Sequence, residues 1–132
     1  MAAMLLATDW TALGVPRDVV KAACAISGLY DLEPIRLCYL NDVLALTPET
    51  AHRNSPVHLA PASPAPLILA LGGAEGPEYH RQTEDLATAW RAHGVPIEVM
   101  DMEGHDHFSI MGEMQSPFSP LARAIQRQAG LG

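Results

Sequence analysis

The sequence predicts an α/β fold with about three parallel strands and flanking helices, and three consecutive stretches carry that prediction. Leu67-Ile68-Leu69-Ala70-Leu71 is an apolar run of strand length, stopped by Gly72-Gly73. An unbroken apolar run of that kind marks a strand buried on both faces. Gly76-Pro77 then opens a helix in which Tyr79, Leu86, Ala87 and Trp90 keep a helical period, with Gly94 as its C′ residue and Pro96 just beyond. From Ile97 to Met102 the residues Ile97, Val99 and Asp101 alternate against Glu98, Met100 and Met102, which reads as the next strand. Strand, helix and strand in this order form a βαβ unit with parallel strands.

The remaining elements fit around that unit. Met1-Ala2-Ala3-Met4-Leu5-Leu6-Ala7 is made of helix formers but has neither a polar face nor an N-cap residue, so the chain reads as starting within an element. Val19 to Ile26, interrupted only by Lys21, reads as a further buried strand, ended by Ser27-Gly28. Asp31 to Leu46 reads as loop and short helix. Thr47-Pro48 pairs a cap with proline at the first helical position, opening a short helix to about Arg53. Prolines at 56, 61, 64 and 66 make the next stretch mostly extended loop. Ser119-Pro120 opens a last helix, which Gly130 closes.

Composition narrows the function classes. The 132 residues are 48% hydrophobic and 17% charged, enough for one core, with fewer charges than the usual quarter. A net charge of -7, with the eight basic residues scattered, argues against nucleic acid. No segment has the length of a membrane span, and Met1 to Ala7 lacks the basic flank of a signal peptide. Cys24 and Cys38 form no disulfide framework and read as reduced, buried thiols, which fits a cytoplasmic protein.

Chemistry gathers after the two best strands. Glu75 lies in the loop after the first, and His107 lies in Gly104-His105-Asp106-His107-Phe108 after the second. Parallel strands end on one edge of the sheet, where open α/β sheets place their sites. Neighbouring strands lie about 4.8 Å apart, close enough for side chains from successive loops to bond. A carboxylate on the Nδ1–H of an imidazole fixes the tautomer and leaves Nε2 free to take a proton. Glu78, Glu103 and Asp106 are equally ionisable and near in sequence, and a loop histidine is also often solvated or structural. Asp101, Glu103, His105 and His107 offer a different set, suited to a divalent cation, although alternate positions on a strand and its loop rarely converge.

These segments resemble the α/β-hydrolases, in particular the kynurenine formamidases (arylformamidases) and related esterases. The resemblance rests on Gly104 to Phe108 as the catalytic-histidine loop and Gly72 to Gln82 as the acid loop with its helix. Ser27-Gly28-Leu29-Tyr30-Asp31-Leu32 and Ser55-Pro56 add two further markers. It implies a catalytic pair of His107, as general base and later acid, and Glu75, as its orienter where relatives often carry Asp. It also implies ester or formamide hydrolysis through an acyl-enzyme, a small-molecule ester or formamide substrate, a place in tryptophan catabolism, and neither cofactor nor metal.

The triad of this class runs Ser, acid, His along the chain, and only the last two members are evident. In the resembled family a Gly-x-Ser-x-Gly elbow leads into a helix like Ala2 to Ala7, so residues 1–132 read as a partial domain, the C-terminal half of the fold. Ser27 lacks the first glycine of an elbow, and Ser109 and Ser116 lack a strand–turn–helix setting; all three read as structural. The expectation is therefore a hydrolase fragment that is inactive alone and that needs a missing N-terminal half or a second copy as partner. The alternative is a non-catalytic remnant acting as an interaction module.

Overall fold

Strand β2, Leu67–Gly72, has all six residues buried and sits at the centre of a three-stranded parallel sheet of order β1-β2-β3. A computed structural model describes residues 1–131. The neighbours of β2 are β1 (Ala23–Ile26), in register from Ala23 against Leu67, and β3 (Ile97–Met102), in register from Leu67 against Ile97. Its side chains alternate between two cores, as a strand covered on both faces requires. Leu67 and Leu69 join Leu86, Ala87 and Trp90 of one helix and Ala3 and Leu6 of another. Ile68 and Ala70 join Ile110, Leu121 and Ala124 on the opposite face.

The helices are α1 (Ala2–Ala7), α2 (Glu33–Arg36), α3 (Asn41–Leu44), α4 (Pro48–Arg53), α5 (Pro77–Arg91) and α6 (Pro120–Gln128). Their ends follow local chemistry. Thr47 caps α4 in a reciprocal box with Thr50, and the Ser119 hydroxyl accepts from Ala122 N at the start of α6. After α5, Gly94 takes a left-handed φ of +82°; its N–H bonds Arg91 O at 2.9 Å and that of Val95 bonds Trp90 O at 3.2 Å. These two bonds are the Schellman closure, with Gly94 at C′. Trp90 is fully buried in the core, and its Nε1–H donates to the carbonyls of Pro56 and Leu59.

Three expectations change. The first strand begins at Ala23, not Val19, because its ladder stops at the bond from Ala23 N to Pro66 O. The chain before Leu67 is proline-rich and offers few donors for further rungs, and Val19 instead turns back to Pro16 O. The opening helix is amphipathic in place, with Ala3 and Leu6 buried and Leu5 exposed. Cys24 and Cys38 are half-buried rather than buried. Burial pushes the Cys24 thiol up to about 11, which removes it as a thiolate nucleophile at neutral pH. Among the described residues no helix is long and apolar enough to cross a membrane.

Candidate active site

All three strands end on one edge, and the loops that follow them meet there. The acid loop leaves β2 at Gly72-Gly73 and is joined to the histidine loop by main-chain bonds. Gly73 N–H donates to Met102 O and Ala74 N–H to His105 O, both at 2.9 Å. Gly72 is needed for this approach, since a Cβ there would lie 2.5 Å from His105 O and 2.8 Å from its carbonyl carbon. In the second loop, Asp106 fixes the turn. Its Oδ1 accepts from the N–H groups of Phe108 and Ser109, while the Ser109 hydroxyl accepts from Asp106 N–H. Those main-chain donors hold the Asp106 carboxyl below its ordinary range.

The two loops bring Glu75 and His107 together. Nδ1 of His107 lies 3.2 Å from Oε2 of Glu75, whose side chain is wholly buried while that of His107 is 46% exposed. The other oxygen, Oε1, accepts from Gly72 N–H at 2.9 Å and from the Ser27 hydroxyl. Burial pulls the Glu75 carboxyl upward. The Ser27 hydroxyl, the Gly72 amide and His107 outweigh that pull and hold it below its ordinary value. An ionised carboxylate therefore faces Nδ1, and the tautomer it favours carries hydrogen on Nδ1 and a lone pair on Nε2. Tyr79 and Phe108 flank the ring, with centroids 5.2 Å and 5.4 Å away.

Of the competing acids, Glu103 is exposed, Asp106 is tied to its own turn, and Glu78 is engaged within its helix. Glu78 pairs with Arg81 and Gln82, which push its carboxyl down to about 2. Of the four candidate cation ligands, Asp101 lies 3.8 Å from His80, His105 lies 3.3 Å from Glu113, and His107 turns to Glu75. Among the described residues no three His, Cys, Asp or Glu side chains come together to hold a metal ion.

The serines are equally informative. Ser109 and Ser116 hold turns through Asp106 N and Phe118 N. Ser27 touches the carboxylate on the side away from the imidazole, so it is not placed to give its proton to His107. Among the described residues the ring is hydrogen-bonded by Glu75 and by no hydroxyl. The Ser27 contact was not foreseen from sequence; its only signal was a polar residue, followed by glycine, ending a buried strand.

The segment after β1 is tied to the same region. Gln82 of α5, 1% exposed, accepts from Tyr30 N and Asp31 N through Oε1, and the buried Ser55 hydroxyl accepts from Leu32 N. The four segments singled out in the sequence are thus linked in series, from the histidine loop to the acid loop and its helix, then to the segment after β1, and from there to Ser55.

No protein-family model matches the chain. It is 36% identical over 136 residues to a kynurenine formamidase of Salmo salar and 32% identical over 135 residues to one of Danio rerio. Each match takes in 98% of this chain, and the chain spans 46% of each relative. Among solved structures, a Silicibacter protein named as a thioesterase superposes with a TM-score of 0.70 at 26% identity, over 78% of this chain and 37% of its own. These similarities support a hydrolase family for a chain whose sheet is parallel and helix-flanked.

Proposed function

We propose that Glu75 and His107 are the orienting acid and general base of a serine hydrolase of the α/β class. It would cleave carboxylic esters or N-formyl amides through an acyl-enzyme. The attacking hydroxyl would come from polypeptide outside these 132 residues. His107 Nε2 takes the hydroxyl proton as the oxygen bonds to the acyl carbon, and then passes it to the departing alcohol or amine. Water repeats the cycle, releasing the acid and restoring the serine. Glu75 stays ionised throughout and steadies the imidazolium.

The observation that carries this reading is the 3.2 Å contact between a fully buried carboxylate and a half-open imidazole. The relatives' name supports the formamide side of the substrate class, and the structural neighbour's name supports acyl transfer more broadly. Alone, the chain would turn over substrate poorly, because nothing among the described residues stands ready to attack. A non-catalytic interaction module is the second reading, and the outer edge of β1 favours it. Among the described residues that edge has no strand beside it, and such an edge accepts another chain.

Reading the encoding DNA in frame ahead of Met1 separates the two. A Gly-x-Ser-x-Gly run supports the hydrolase. The longer protein is then assayed on an N-formyl aromatic amine and a short aryl ester, where His107→Ala should lower kcat by about 1000-fold or more. Turnover retained in that variant removes His107 from the mechanism.

A further inference from the structure

We propose that Ser27 is a positioning residue, whose hydroxyl anchors the Glu75 carboxylate so that its free oxygen meets His107. This rests on the base-and-acid reading and extends it to a third side chain. Two independent features support it. The Ser27 N–H still makes the last rung of the β1–β2 ladder, to Ala70 O at 2.8 Å, yet its φ is +49°, a left-handed value rare for side-chain-bearing residues. Backbone preference alone would place glycine there, and a serine held against that preference indicates a role for the side chain. The side chain duly crosses from the end of β1 to Oε1 of Glu75.

The geometry gives the contact its purpose. Glutamate reaches its carboxylate through three rotatable bonds, so each further partner narrows the orientations the group can take. Gly72 N–H, the other donor to Oε1, belongs to the same turn as Glu75 and moves with it. Ser27 ties the carboxylate to a different strand. With both donors on Oε1, rotation is checked and Oε2 faces His107. The largest of the effects that hold the Glu75 carboxyl low is this same hydroxyl.

Nitrogen NMR of the His107 ring and carbon NMR of the Glu75 carboxyl test this in the 132-residue chain, without need of turnover. Ser27→Ala and Ser27→Gly should each lower the ratio of Nδ1–H to Nε2–H tautomer by about fivefold, the worth of one ordinary hydrogen bond. The carboxyl should titrate at higher pH than in the wild type. Ser27→Gly relieves the backbone strain that Ser27→Ala keeps, so the two should differ in melting temperature while losing the tautomer ratio alike, which an effect acting only through stability would not produce. Glu75→Gln separates the two levels of the argument. If it lowers the ratio while both Ser27 variants keep the wild-type value, the anchoring role is overturned and the base-and-acid pair stands. If Glu75→Gln itself leaves the ratio unchanged, the pair falls, and Ser27 with it.

Discussion

Gly72→Ala isolates the closeness of the two loops from every other feature of the site. The φ of Gly72 is not left-handed, so alanine is allowed there on backbone grounds and only space opposes it. The added Cβ would lie 2.5 Å from His105 O, against a comfortable C···O approach of about 3.3 Å. The histidine loop must therefore retreat by about 0.8 Å. Carried rigidly along the line of the Glu75–His107 contact, that displacement lengthens it from 3.2 Å to at most about 4 Å, beyond hydrogen-bonding distance. Overpacking of this kind costs about 1–3 kcal/mol, several degrees of melting temperature at this size. In the longer protein a shift of this order at the reacting groups should lower kcat/KM by about 100-fold. Gly112→Ala is the control, since a Cβ there meets nothing within 4 Å. Thermal denaturation and the ring nitrogens of His107 read both effects. A Gly72→Ala chain with the melting temperature and the Nδ1–H signal of the wild type would refute the steric argument.

Two other outcomes follow from the same coordinates. Because the folded-state carboxyl of Glu75 is lowered from its ordinary 4.5, its stabilising contribution is complete above that pH and is lost as pH falls through the lower folded value. The difference in melting temperature between wild type and Glu75→Gln should therefore be flat near neutrality and narrow in acid; a difference independent of pH would contradict the ionised pair. Trp90→Ala removes a fully buried indole and leaves the carbonyls of Pro56 and Leu59 without its donor. It should destabilise by about 3–5 kcal/mol, seen as a lower denaturant midpoint; a loss under about 1 kcal/mol would show that the core closes over the gap.

What the sequence made legible was whatever depends on burial pattern and end chemistry. The apolar run at Leu67, the proline start of α5 and Gly94 at its close each record a local cause that survives folding. The approach of Glu75 to His107 was also readable, because parallel neighbouring strands deliver their following loops to one edge. Val19 to Lys21 misled because hydrophobicity signals burial but not pairing, and the prolines before Leu67 give the strand few partners there. β3 keeps its extended form with Glu98, Val99 and Asp101 exposed, since it ends the sheet and α5 covers only part of it. The Ser27 contact was out of reach for a different reason: it depends on the sign of one dihedral angle, which serine does not announce.

The two main-chain bonds between the acid and histidine loops have a mechanical consequence. Groups on separate loops normally drift independently, and their separation fluctuates by the sum of both motions. Here Gly73 and Ala74 are clamped to Met102 and His105, so thermal displacement carries both loops in the same direction. The sheet can breathe while the spacing of the pair stays nearly constant. Amide exchange should then release Gly73 and Ala74 together, in a single opening event.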